Sequence, residues 1–234
     1  VITISHTGYI KRLPVSSYRK QRRGGKGVTG ADMKEEDFIE HLFIASTHDY
    51  MLFFTDKGTV YWLKVHEIPE AGRTAKGKAI INLLSLGAGD KISAFVPVRE
   101  FKEGSYLIMA TKNGIIKKTT LTAYSHPRKG GIIGISIEKD DELIEVVMTN
   151  GDDEILLATR EGKAIRFKET DVRDMGRGAT GVWGVRLEKK DMVIAMQVVK
   201  GDQTVLTATD QGFGKRTPFK EYRLQSRGGK GIIN

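Results

Sequence analysis

The chain has 234 residues and no cysteine, so it can build neither a disulfide framework nor a thiolate metal site, which fits a reducing cytoplasm. It also lacks any stretch approaching the roughly 18 to 20 uninterrupted apolar residues that cross a bilayer. The opening residues Val1-Ile2-Thr3-Ile4-Ser5-His6 show no basic segment followed by an apolar run, so a soluble chain without an export signal is expected, with no membrane partner. The five histidines, His6, His41, His48, His66 and His126, fall in no metal-ligand spacing. Lys26 is followed by Gly27 where a phosphate-binding loop needs Ser or Thr. Gly176-Arg177-Gly178-Ala179-Thr180-Gly181 satisfies the spacing of a dinucleotide-binding loop, but no helical pattern follows, so it reads as a turn. The acidic run Gly151-Asp152-Asp153-Glu154 reads as a solvated hairpin loop. No serine or threonine has a matched base. Catalysis, metals and cofactors are all without support in the residues.

What is present is charge and repetition. Thirty-eight Lys and Arg against 29 Asp and Glu give a net charge of +9, an excess that favours a polyanionic partner such as nucleic acid or an anionic membrane surface. A threonine, a glycine shortly after it and then an apolar or basic strand recur at Thr7-Gly8, Thr55 to Gly58, Thr111 to Gly114, Thr159 to Gly162 and Thr209 to Gly212. These anchor glycines stand 50, 56, 48 and 50 residues apart. A period near 50 built from short strands predicts an all-β, propeller-like ring with one four-stranded sheet per repeat. The units are about 1–37, 38–89, 90–140, 141–190 and 191–234, within a single domain. Gly58, Gly114, Gly162 and Gly212 each sit between two apolar runs, as a hairpin glycine with positive φ does. An acidic residue, Asp37, Asp90, Asp141 or Asp191, is expected to mark entry into each new sheet. The first sheet is one strand short, and chain beyond Asn234 is its expected donor, since open sheet edges invite unwanted pairing.

Arginine follows the anchor glycine by 14 or 15 residues in every unit, at Arg22 and Arg23, Arg73, Arg128, Arg177 and Arg227. The richest copy of this loop is Gln21-Arg22-Arg23-Gly24-Gly25-Lys26-Gly27, and Gln225-Ser226-Arg227-Gly228-Gly229-Lys230-Gly231 nearly repeats it. Glycines let a main chain approach a phosphate backbone, arginine offers a planar donor fork, and lysine supplies a mobile charge. Lys76, Lys129 and Lys230 add to these loops. A second basic cluster, Lys11 and Arg12, Lys117 and Lys118, Arg166, and Lys215 and Arg216, follows the anchor on the strand itself, and the second unit breaks it with Tyr61 and Trp62. Both clusters are expected to set positive charge at intervals around the rim of the ring, facing a polyanion. Tyr18, Tyr124 and Tyr222, ten residues after the anchor, share that position with Ile68 and Val172, which argues for packing over base stacking.

The run from Gln21 to Gly27 resembles the box motif of the C-terminal domain of the A protein of bacterial DNA gyrase. The likeness continues through Lys34-Glu35-Glu36-Asp37-Phe38-Ile39, Arg166-Phe167-Lys168-Glu169 and Gly214-Lys215-Arg216-Thr217. That resemblance implies a β-pinwheel, a propeller-like ring whose blades exchange strands, that wraps duplex DNA around its basic rim and so enables negative supercoiling. It implies a non-catalytic part of an ATP-dependent type II topoisomerase in the bacterial cytoplasm and nucleoid, partnered by the N-terminal region of gyrase A and by gyrase B. ATP and Mg²⁺ would be used outside this chain. The family usually has six blades, whereas five anchors are visible here. Five blades occur in the related topoisomerase IV protein, which generally has a degraded box, and the intact run at Gln21 favours gyrase. A protein-binding ring is the other reading of such repeats.

Overall fold

The computed structural model describes residues 1–18 and 37–234, and the run from Gln21 to Gly27 lies outside them. The first hairpin is β1 (Ile2–Ser5) and β2 (Tyr9–Arg12), followed by β3 (Ile39–Phe43), the second hairpin β4 (Tyr50–Thr55) and β5 (Thr59–Lys64), and the two-residue β6 (Lys78–Ala79). The series repeats as β7 (Ile92–Val98), β8 (Tyr106–Thr111), β9 (Ile115–Thr120) and β10 (Ile132–Ile133), then β11 (Leu143–Thr149), β12 (Glu154–Thr159), β13 (Lys163–Lys168) and β14 (Val182–Trp183). It ends with β15 (Val193–Val199), β16 (Thr204–Ala208), β17 (Gly214–Pro218) and β18 (Ile232–Ile233).

The sheets do not coincide with the repeats. Their orders are β3-β1-β2-β6, β10-β5-β4-β7, β11-β8-β9-β14 and β15-β12-β13-β18. Each of the first four hairpins is therefore flanked on both edges by strands of the following unit, the exchange that the family resemblance implies. Two expectations are corrected. The first sheet is completed from within by β3 and β6, and the hairpin that pairs only with itself among the described residues is the last, β16-β17. The acidic residues mark entry into the strand that completes the preceding sheet. Thus Asp37 accepts the Thr7 N–H (3.0 Å), Asp141 the Asn113 N–H (2.8 Å) and Asp191 the Glu161 N–H (3.0 Å), each pinning the hairpin turn of the sheet that the following strand completes.

One local device builds every hairpin. A hydroxyl at the end of the first strand accepts the backbone N–H four residues on: Ser5 (3.1 Å), Thr55 (3.1 Å), Thr111 (3.1 Å), Thr159 (3.2 Å) and Thr209 (3.2 Å). In the first unit the hydroxyl is thus Ser5, and Thr7 belongs to the turn. The anchor glycines all have φ between 78° and 92°, a conformation that costs other residues steric strain.

Cores form between successive sheets. Along β4, Met51 and Phe53 pack with Ile2, Ile4 and Ile10, while Leu52 and Phe54 pack with Leu107 and Met109. Along β8, Ile108 and Ala110 turn the other way, toward Ile155 and Leu157. Burial on both faces explains the unbroken apolar runs of these central strands, since a strand with one wet face would alternate. Strand β11 lies against β7 and β15. The long flanking strands therefore gather at the centre, and the two-residue strands form the outer edge.

Candidate nucleic-acid interface

Among the described residues, the arginine loops at Arg73, Arg128, Arg177 and Arg227 each immediately precede an outer-edge strand, so the exchange that closes a sheet also carries the loop onto the preceding blade. Parallel bridges Arg12 to Glu70, Lys118 to Asp174 and Arg166 to Leu224 tie the loop segment to that blade's hairpin. The residue three after the anchor glycine forms the loop's floor, and the residue four after it reaches the loop's base.

This places the basic strand cluster differently from its sequence reading. Lys11 is buried, and its ammonium donates to the carbonyls of Gly72 (3.2 Å), Arg73 (2.6 Å) and Ala75 (2.7 Å). Lys117 has no exposed surface and donates to Gly134 O (2.7 Å) and Arg177 O (2.5 Å). Burial, reinforced by the Arg177 charge, lowers the Lys117 pKa to about 8, and burial lowers that of Lys11. Arg12 donates to Ile68 O (2.7 Å) and pairs with Glu70 (2.6 Å). Lys118 is buried, paired with Asp174 (3.1 Å) and over the Tyr106 ring. Arg166 pairs with Glu154 (2.5 Å), donates to Tyr222 O (2.9 Å) and covers the Phe219 ring. Lys11, Lys117 and Lys118 are buried struts, and Arg12 and Arg166 are partly buried braces: a phosphate would have to displace protein carbonyls and carboxylates to reach them. The structure thus places all five against the loops and not on an open face. At the same places the second unit uses Tyr61 as floor and Trp62, whose indole N–H donates to Tyr124 O (3.0 Å).

The loop cations stand differently. Arg128 and Lys129 are exposed and have no protein partner among the described residues, Lys76 is exposed with its ammonium over the Tyr9 ring, and Lys230 is exposed. Arg73 and Arg177 are half-buried in loops fastened from beneath. Arg227 turns back, donating to Asp171 O (2.8 Å) and Trp183 O (3.2 Å), so it braces its own loop. Lys215 and Arg216, at the strut positions of the last hairpin, are exposed. Gln21, Arg22, Arg23, Gly24, Gly25, Lys26 and Gly27 lie outside the described residues. Sequence reasoning passed over Arg173 and Arg223, which are exposed beside the loops eleven residues after their anchors. Their shared phase was the available signal.

The other sequence readings divide. Ile68, Tyr124, Val172 and Tyr222 are buried, as a packing position requires. Residues 176–181 form a turn, with the Ala179 N–H on Gly176 O (3.1 Å). Asp153, read as solvated, is buried: its N–H donates to buried Glu169 (3.1 Å), whose other oxygen takes the Thr149 hydroxyl proton (2.6 Å). The acidic run is a satisfied structural turn.

Comparison with known proteins agrees with this architecture. The chain is 54% identical over 182 residues to the A protein of DNA gyrase from Halalkalibacterium halodurans, covering 78% of this chain and 22% of that protein. It is 50% identical over the same length to that of Escherichia coli, covering 21% of it. The chain thus spans about a fifth of the curated relatives it matches. Among solved structures, a topoisomerase IV C-terminal domain matches with a TM-score of 0.82 at 29% identity, over 99% of this chain and 71% of that one. A DNA gyrase A C-terminal domain matches with a TM-score of 0.80 at 26% identity, over 99% of this chain and 75% of that one. Residues 1–46, 49–99, 105–150, 153–200 and 203–234 match the family described as DNA gyrase C-terminal domain, beta-propeller, and the chain belongs to that family.

Proposed function

We propose that the chain binds duplex DNA without sequence preference and bends it around the outer edge of its blades, supplying binding and curvature but no chemistry. The observation that carries this reading is the recurrence of one cationic loop at the outer edge of successive blades, with Arg128, Lys129, Lys76 and Lys230 exposed on it. Cations set along a curved surface release counterions from phosphates, so affinity falls steeply with salt and is blind to base sequence. Bending costs about 1 to 6 kcal/mol for each 40 to 90° over 20 to 30 base pairs. No single loop offsets that, so the loops act together. In the complete protein the wrapped segment would be presented for strand passage by a gyrase, with the N-terminal region of gyrase A and gyrase B as partners, ATP and Mg²⁺ used at sites outside this chain, and the bacterial cytoplasm and nucleoid as its location. The box from Gln21 to Gly27 would fasten the wrapped segment.

The test is ligation of a nicked plasmid with increasing amounts of the protein at low and high salt. A salt-sensitive shift in linking number is expected; binding without a shift would remove chiral wrapping, and absence of binding would favour a protein-binding ring. Replacing Arg22, Arg23 and Lys26 by alanine is expected to reduce the shift far more than the affinity. Equal loss of both would count against a special role for the box.

A further inference from the structure

We propose that Lys11 and Lys117 are positioning residues, two buried ammonium clamps that fix the arginine loops of the second and fourth units in their DNA-facing form, an inference that rests on the DNA-binding reading above. The floor position three residues after the anchor glycine carries Lys11, Tyr61, Lys117 and Ile165 in turn. Clamped loops therefore alternate with loops laid over an apolar floor, where a Cβ at Gly131 would meet the Tyr61 ring at 2.9 Å and one at Gly229 would lie 3.4 Å from Ile165.

The clamp sorts the polar groups of the loop. Over Lys11 the carbonyls of Gly72, Arg73 and Ala75 all converge on one ammonium. Over Lys117, Arg177 O goes to the ammonium, Gly178 O accepts from the Ser136 hydroxyl (2.8 Å) and Ala179 O from the Ser136 N–H (3.2 Å). Three consecutive carbonyls are thus occupied beneath the loop, while the N–H groups of Arg177 and Gly178 donate to no protein group among the described residues. Carbonyl oxygens repel phosphate and amide N–H groups attract it, so a loop with its carbonyls held below suits a polyanion. The buried charge adds to the field instead of opposing it. A neutral floor can support a loop by packing but cannot gather its carbonyls.

The titratable and charged groups around the Lys117 ammonium are Arg177, whose charge opposes it, and Tyr124, whose hydroxyl donates to the same Gly134 carbonyl; the adjacent Lys118 is paired separately with Asp174. With the Lys117 pKa near 8, the clamp loses its charge in a range where duplex DNA remains paired. The experiment uses the protein at its full natural length and measures two quantities: DNA bending, by energy transfer across an end-labelled duplex, and amide hydrogen exchange of residues 176–181 without DNA. Lys117→Met is expected to speed exchange in that loop about tenfold while leaving the β8 and β9 amides protected. It should also lower the slope of log affinity against log salt by about 1 to 2. Native bending should decline as pH rises through about 8, and Lys117→Arg, which stays charged, should keep its bending at pH 9. Lys11→Met, read on residues 72–77, supplies the same comparison should Lys117→Met fail to fold. Bending and loop exchange unchanged in the Met variants, or native bending flat across pH 7 to 9.5, would overturn the clamp alone. Absence of bending by the native protein would overturn the DNA reading and the clamp with it.

Discussion

The third hairpin, β8 and β9, and the last, β16 and β17, carry the same turn and nearly the same pair of cations, yet their surroundings are opposite. Lys117 and Lys118 are buried under the loop of the fourth unit, whereas Lys215 and Arg216 are exposed, with no further strand on β17 among the described residues. The apolar side chains follow: Leu107 and Ile108 have no exposed surface, while Leu206 is 74% exposed. A strand's own residues specify that it pairs and turns. Lysines that the next unit covers with its loop, as Lys117 and Lys118 are covered, become struts.

Four expectations sharpen that contrast, from the largest effect to the smallest. Leu107→Ala should cost about 2 to 5 kcal/mol, as a cavity between tightly packed sheets does, whereas Leu206→Ala should stay within about 0.5 kcal/mol; denaturant titration of both variants reads the difference. The second concerns pH. Because Lys117 sheds its proton in the folded protein at about 8 and an unfolded chain holds it to about 10.4, unfolding takes up a proton between those values. The native protein should therefore gain stability over Lys117→Met as pH rises through that window, by about 3 kcal/mol in all. Lys215→Met should change stability by less than about 0.5 kcal/mol.

The turn glycines give the third. At Gly114 a Cβ would stand 2.7 Å from Val185 O, while at Gly212 nothing lies within 4 Å. Both have positive φ, so Gly212→Ala should cost about 1 kcal/mol from backbone strain and Gly114→Ala distinctly more, seen in paired thermal melts. The fourth is electrostatic: Arg128→Gln with Lys129→Gln should lower the salt slope of DNA affinity by about 2 with unchanged stability, since both residues are exposed and unpartnered among the described residues.

Much of the fold was legible because its signals are local. The anchor glycines, their hydroxyl partners and the two-faced apolar runs each act within a few residues, so the period of about 50 read as blades. Strand exchange was invisible to that logic, because β3 and β6 both fall in the second unit of sequence and complete a sheet begun in the first. The site was half legible. Loop cations such as Arg128 and Lys129 stand where the phase of the arginines put them, but Lys11 and Lys117 looked like further contacts because their carbonyl partners lie about 60 residues away. Arg227 misled for a similar reason, its acceptors being carbonyls 44 and 56 residues earlier.

The most direct test of this division of labour is acetylation of lysines by a water-soluble reagent near neutral pH, with and without saturating duplex DNA, read residue by residue by mass spectrometry. Lys76, Lys129 and Lys230 should react in the free protein and be protected by DNA, while Lys11 and Lys117 remain unmodified in both states. Free reaction of Lys11 and Lys117 that DNA then suppresses would contradict the account, because it would make them contacts and not struts.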